Sequence, residues 1–284
     1  MRAIGLFTAW ACKDWVNAAI ENHLRIVDEL HVMIAPHNQR FQEIGDDTLE
    51  IAKAKWGKHP QVIFYEPNQD DIRDCCDRTK CIFLNQMRVG AKTEKDDILM
   101  ICDSDEFYDD VAVDKIRDKF DGFKWDVLDF DARYFAVNMK WYMYQPGLRR
   151  LFRVRNKEHL PEFHFKPTQR PIPRPQEIQI LLKDCPMFHY SLLSPIKYKL
   201  IHWGTERGVK PEKLEWLTEI YAKWDPENPA LCEELSKKNP TSCNMFYVNN
   251  DMDSPPHSPY LHKYNGKHPV EIEKAGLTKV RDFR

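Results

Sequence analysis

The chain has 284 residues, 42% of them hydrophobic and 12% aromatic, with 42 basic against 44 acidic side chains and a formal net charge of −2. That is enough apolar material for a large core, and so balanced a charge gives no global drive toward nucleic acid or an anionic membrane. No apolar run approaches the ~20 residues of a membrane span, and the opening MRAIGLFTAW is too short and too mixed for a signal peptide, so the expectation is a soluble, cytoplasmic protein.

The first half alternates. AIGLFTAW is a compact apolar run and predicts a buried strand, followed by a helix with Val16, Ile20, Leu24 and Val27 at helical spacing and Asp14 as its N-cap. ELHVMIAP predicts a second strand, stopped by Pro36, and DTLEIAKAKW a second helix. QVIFYEP predicts a third strand, and DDIRDCCDRTKCIFLNQMRVGAKT a long helix with Ile72, Cys76, Phe83 and Met87 on one stripe. DDILMICD predicts a fourth strand. This β-α-β-α-β-α-β order implies a mostly parallel sheet covered by helices. Of the eight cysteines, Cys12, Cys102 and Cys185 read as small core residues. Cys75, Cys76 and Cys81 fall on the third helix and read as structural thiols ahead of a zinc site, because no CxxC pair accompanies them.

The fourth strand runs straight into Asp103, Asp105 and Glu106. Like charges this close repel one another unless something positive sits among them. In open α/β sheets ligands bind beyond the carboxyl ends of the strands, and residues two apart in an extended chain face the same way. Asp103 and Asp105 can therefore grip one hard divalent cation that leaves positions for substrate phosphates. Thr8 and Trp10 end the first strand, so they border the same crevice and are candidates for contacting a base or ribose; Trp10 reads equally well as core packing.

WDVLDFDARYFAV alternates, which places Asp129 and Asp131 on a face with Val127 and Arg133. Asp131 is the candidate base for an acceptor hydroxyl, against a structural pairing with Arg133 or Lys140. PGLRRLFRVRN brings Arg149, Arg150, Arg153 and Arg155, which read as a solvated edge strand or as guides for an anionic group. Residues 157–177 carry five prolines and predict a long loop at the rim of a site. PEKLEWLTEIYAKW is helical, with Leu214, Leu217, Ile220, Tyr221 and Trp224 at the right spacing, and the aromatic, Pro-rich tail is expected to wrap the catalytic part.

DDILMICDSDEFYDD resembles the DxD segment of GT-A-fold glycosyltransferases, in particular the family 2-like group. ENHLRIVDELHVMIAP, PGLRRLFRV and MFHYSLLSPIKYK resemble that group's first helix and second strand, a strand after the catalytic segment, and its later His-containing segment. The likeness spans most of residues 1–200. TAWACKD stands where the group usually has Asn-Glu, and PHNQ where it has an Asp-rich turn.

The resemblance implies an α/β/α sandwich of GT-A (Rossmann-like) type with a mixed central sheet. Residues 1–190 would form the catalytic domain and 191–284 a helical, Pro-rich C-terminal extension packed on it. It further implies a nucleotide-sugar donor, expected to be a UDP-sugar, and a bound Mn²⁺ or Mg²⁺ that neutralises the leaving diphosphate. Asp105 is then the direct metal ligand. Asp103 binds the metal through water or holds the donor ribose, and His189 is the third ligand. Glu106 orients a ligand or pairs with a nearby cation. Arg88, Lys197 and Lys199 are candidates for the donor side, each weighed against an ordinary solvated position.

The acceptor is expected to be a saccharide or another hydroxyl, with hydroxymethylated bases in DNA as a less favoured choice, resting on a local patch from Arg149 to Arg174. Two other classes stay open. A sugar nucleotidylyltransferase shares the alternating sheet and the acidic site, but LFTAWACKD has no glycine for a phosphate loop. A non-catalytic nucleotide-sugar-binding protein would keep the fold alone.

Overall fold

A computed structural model describes residues 1–43, 46–73, 75–121, 125–155, 178–205, 211–238, 247–248 and 260–279. The Pro-rich stretch 157–177 lies outside the described residues, as does the 249–259 part of the tail.

Three βα steps and a fourth strand form the first half: β1 (Ala3–Ala9), α1 (Val16–Leu24), β2 (Glu29–Ile34), α2 (Thr48–Trp56), β3 (Val62–Tyr65), α3 (Cys76–Gly90) and β4 (Ile98–Asp103). The order β3-β2-β1-β4 is parallel throughout, so all four carboxyl ends lie along one edge. Helix α1 begins at Val16 with Trp15 in the cap position and no side-chain cap, so Asp14 does not serve as one. The third helix is shorter than its apolar stripe predicts and starts at Cys76, because the preceding residues 69–71 close a separate short turn. Cys76, Cys81, Cys102 and Cys185 are buried thiols outside any disulfide, and Cys12 is half-buried.

The strands that follow make the sheet mixed. They are β5 (Glu106–Phe107), β6 (Val127–Phe135), β7 (Trp141–Arg153) and β8 (Gln179–His189), with α4 (Asp110–Asp118) between β5 and β6. Strand β7 lies antiparallel between β4 and β6, β8 runs parallel to β6, and β5 closes the far side antiparallel to β8. The arginine-rich strand is therefore central, not an edge. Arg153 is buried, with its guanidinium carbon 4.7 Å from the Trp125 ring centroid and Nη2 donating to the Phe120 carbonyl at 2.9 Å.

One core cluster fills the α1 and α4 side, with Phe7, Ile20, Met100, Cys102, Phe130 and Phe188 among its members. A second lies under α3 and includes Ile4, Leu6, Phe83, Leu84, Leu99, Ile101 and Val127. The alternation of β1 and β4 thus sends Ile4, Leu6, Leu99 and Ile101 toward α3, which puts Thr8 and Asp103 on that face too. Layers of helix, sheet and helix result.

The C-terminal elements are α5 (Ile196–Thr205), α6 (Pro211–Glu219), α7 (Pro229–Lys237), β9 (Tyr247–Val248), β10 (Tyr260–Lys263) and α8 (Val270–Lys274). They form a third core in which Trp216, Tyr221 and Trp224 pack with Ala136 and Val137 of the β6–β7 connection and with Trp141 and Met143 of β7. Strand β10 pairs antiparallel with the start of β7. Among the described residues, no helix is long and apolar enough to cross a membrane.

Candidate active site

Strand β1 pairs with β4 so that Thr8 faces Asp103 in register at the carboxyl edge of the sheet. The chain then turns through Ser104 and Asp105 into β5, whose two residues pair with the end of β8: Glu106 opposes His189, and Phe107 opposes Phe188. This short pairing brings a histidine from far along the sequence to the acidic turn. His189 Nε2 lies 3.8 Å from Asp105 Oδ1 and 4.0 Å from Glu106 Oε1. Its ring packs edge-on against Tyr134 at 4.5 Å, in register on the neighbouring strand β6, and the Tyr190 amide donates to the Asp105 carbonyl at 2.8 Å.

The positive charge among the carboxylates comes from side chains. Lys80, in the second turn of α3, places Nζ 2.5 Å from Asp103 Oδ1. Arg150 clasps the fully buried Glu106 with both arms of its guanidinium and lies 3.8 Å from Asp103 Oδ2. Register shifts between β6 and β7 at Leu128/Asp129 leave Arg150 as an extra residue in β7, a bulge that aims it at the acidic turn. Glu106 thus takes the cation-paired role among its two expectations.

Burial works to lift the Asp103 pKa, but Lys80 and then Arg150 outweigh it and hold this carboxyl well below the usual range. Asp105 moves the other way. Burial raises its pKa, His189 opposes the rise, and Asp103 and Glu106 add to it. Burial lowers the pKa values of Lys80 and Arg150, yet their carboxylate partners prevail, so both stay charged.

Among the described residues, no three His, Cys, Asp or Glu side chains are gathered to hold a metal ion. The expected trio of Asp103, Asp105 and His189 is thus not assembled, because Asp103 turns to Lys80. Asp105 and His189 do fit a shared cation: two ligands with bonds of about 2.1–2.6 Å sit about 3–4 Å apart. Such an ion would complete its shell with phosphate oxygens and water.

The remaining sequence candidates divide. Thr8 is buried and Trp10 follows β1; among the described residues, Thr8 Oγ1 and Trp10 Nε1 have no hydrogen-bond partner. The backbone beside them is fixed: Ala11, at φ 53°, donates to Asp46 Oδ2 at 2.8 Å, and Cys12 N–H donates to Thr48 Oγ1 at 3.1 Å. Burial pushes the Cys12 thiol up to about 12, against a hydrogen bond to Ser104, so it is no nucleophile.

Arg88 lies in the last turn of α3, about 12 Å along the axis from Lys80 and at the helix end farther from the carboxyl edge. The cation of this helix that lies against the acidic turn is Lys80. Lys199 is buried, donates to the Ser194 carbonyl and lies over the Tyr221 ring at 5.8 Å, so it faces the C-terminal core and not the crevice. Lys197 is exposed beside its neighbour Tyr198, at 5.0 Å from that ring.

Asp129 faces Arg149 at 3.8 Å. Asp131 accepts from Gly147 N–H at 3.4 Å and from Tyr144, whose hydroxyl is pushed up to about 12 by burial and by that carboxylate. Arg133 pairs with neither aspartate; a second register shift at Phe130/Ala132 breaks the alternation, and Arg133 lies over Tyr142, Phe188 and Tyr264 at 5.2–5.9 Å. Arg149, Arg150, Arg153 and Arg155 all engage partners within the fold, so they do not form an open patch for DNA phosphates. Arg174 lies outside the described residues.

Lys80 escaped the sequence reading, and Arg150 was seen there only as one of four arginines, not as the partner of Glu106. Lys80 carried a signal: it stands four residues after Cys76 and three before Phe83, on a buried stripe, and a cation there needs an acidic partner. Arg150 carried none, since a bulge leaves no periodic mark.

No protein-family profile matches the chain, and no curated protein sequence is similar to it. Among solved structures it is similar to S. aureus TarS 1–349 in complex with UDP-GlcNAc, at 9% identity over 86% of this chain and 83% of that one, TM-score 0.46. It is also similar to the inositol-1-phosphate CTP transferase from T. maritima, at 8% identity over 74% and 98% of the two chains, TM-score 0.37. A 4-diphosphocytidyl-2C-methyl-D-erythritol synthase gives 12% identity over 54% and 75%, TM-score 0.36. The functional reading rests on the site itself.

Proposed function

We propose that this chain is a glycosyltransferase that moves a sugar from a nucleoside-diphosphate donor to an acceptor hydroxyl with the help of Mn²⁺ or Mg²⁺. The observation that carries the reading is the β5–β8 pairing, which sets His189 Nε2 3.8 Å from Asp105 Oδ1 at the carboxyl end of β4. An acidic turn in that place, with an imidazole facing it, suits a cation shared with phosphate oxygens. Asp105 and His189 are the protein ligands that already face each other, and an imidazole donor favours Mn²⁺ over Mg²⁺. When bound, the ion neutralises the charge that develops on the leaving diphosphate.

The chain's own groups do the rest. Thr8 and Trp10 border the base and ribose. Asp131 accepts the acceptor's hydroxyl proton on its carboxylate, while Tyr144 and Gly147 orient that carboxylate from β7. Residues 1–190 supply these groups, and residues 191–284 brace them.

A thermal-shift screen of nucleotide sugars with and without Mn²⁺ tests the reading. A UDP-sugar is expected to raise the melting temperature only when Mn²⁺ is present, and Asp105→Ala to abolish that rise while the protein still folds. Stabilisation by CTP, with release of pyrophosphate in the presence of a sugar phosphate, would replace glycosyl with nucleotidylyl transfer. Metal-independent stabilisation by every nucleotide sugar would remove the role given to Asp105 and His189.

A further inference from the structure

Asp103 stands at the mouth of the site, yet Lys80 already holds it. The ammonium sits 2.5 Å from Oδ1, the pair is largely enclosed with side chains 12% and 13% exposed, and Arg150 covers the other oxygen from 3.8 Å. Beside this pair, in register with Asp103, Thr8 is 2% exposed and its hydroxyl finds no partner among the described residues, a buried polar group that a ligand or an ordered water would satisfy. A divalent cation entering alone would meet two fixed positive charges. A nucleoside diphosphate entering alone would meet a lysine already neutralised.

We propose that Lys80 is a phosphate-binding residue that exchanges partners, leaving Asp103 for the donor diphosphate when the cation arrives and takes that carboxylate. Cation and nucleotide then bind as a coupled pair, each weak without the other. No covalent bond changes. One ion pair, Lys80 with Asp103, is replaced by two, Lys80 with phosphate and the cation with Asp103. Because coupling between ligands is reciprocal, a single factor governs both affinities. The inference rests on the nucleotide-sugar reading, but its test uses Mn²⁺ and UDP without any sugar transfer.

Mn²⁺ affinity of the full chain is measured by water-proton relaxation, with and without UDP, for the wild type and for Lys80→Gln. The wild type is expected to bind Mn²⁺ weakly alone and at least ten-fold more tightly with saturating UDP. Lys80→Gln is expected to bind Mn²⁺ alone more tightly than the wild type, about ten-fold, and to lose most of the tightening by UDP. Lys80→Arg should behave as the wild type.

A second measurement stands apart from the metal. Asp103→Asn frees the ammonium, so metal-free UDP should bind several-fold more tightly to this variant than to the wild type, which also covers the case in which Lys80→Gln fails to fold. Unchanged Mn²⁺ affinity in a folded Lys80→Gln, or unchanged metal-free UDP affinity in Asp103→Asn, overturns the exchange while leaving the transferase reading intact. A wild type that binds neither UDP nor Mn²⁺ in any combination overturns both.

Discussion

Glu106 is fully buried, and its charge is tolerable only because Arg150 meets both of its oxygens. Removing one member of such a pair costs about 3–5 kcal/mol, because the other charge stays buried without compensation. Arg150→Met is therefore expected to lower the denaturant midpoint sharply at an unchanged slope. Arg150→Met with Glu106→Gln should regain part of the loss.

His268 gives a different reading at the same scale. It accepts from the Tyr190 hydroxyl at Nδ1 (2.8 Å) and donates to the Met139 carbonyl from Nε2 (2.9 Å), which fixes it neutral. Burial lowers its pKa to about 4; the Met139 hydrogen bond and Glu273 oppose the shift weakly, and Arg133 adds to it. The unfolded chain takes up this proton first, near the ordinary histidine value of about 6.5. Stability from this site is therefore whole above that value and is lost as pH falls from about 6.5 toward 4, by a few kcal/mol at most. Unfolding measured across that window should show a slope that His268→Gln flattens.

The two-residue strand β5 depends on helices at both ends of the sequence. Asn22 of α1 holds Tyr108 by both backbone groups, with Nδ2 to the carbonyl and the amide to Oδ1 at 2.8 Å each, as a neighbouring strand would. Glu271 of α8 accepts from the same Asn22 amide at 2.9 Å and from Arg25 at 3.1 Å. Asn22→Ala leaves two buried backbone groups without partners, at about 1–3 kcal/mol each. Faster hydrogen exchange at Tyr108 than at β1 amides is the expected sign, with weakened Mn²⁺–UDP binding because Asp105 and Glu106 lose their hold.

Sequence patterns divide along the same line. Strands β1 to β4 announce themselves as apolar runs between helical stripes, and the acidic turn follows from the end of β4. A strand of two residues has no period to read, so the pairing that delivers His189 could be reached only through a family likeness. Strand β7 misled for another reason: four arginines in it and just after it suggest solvent, yet Arg150 and Arg153 are buried, and Arg149 and Arg155 pair with Asp129 and Asp126.

On the scale of the whole molecule, residues beyond 190 are bound to the sheet rather than appended to it. Trp141 and Met143 pack against Trp216, Tyr221 and Trp224; β10 extends the sheet beside β7; and the Tyr221 hydroxyl donates to the Leu192 carbonyl at 2.6 Å. A chain cut after residue 190 exposes that apolar face. It is expected to bind a hydrophobic dye and to lack a sharp unfolding transition, whereas the full chain should unfold in one step by fluorescence and circular dichroism.

The central place of β7 has a consequence for synthesis. When β4 leaves the ribosome, one of its edges pairs with β1, and the other, a row of Ile98, Leu99 and Met100, awaits a strand not yet made. Glu106 waits as well, since its guanidinium lies 44 positions downstream. Until Arg153 has emerged, the nascent chain carries an open, apolar sheet edge beside an unpaired carboxylate, the kind of edge that recruits other chains. The carboxylate knot just past β4 then acts as a gatekeeper, its charge repelling a second copy until β7 slides in antiparallel and closes the edge.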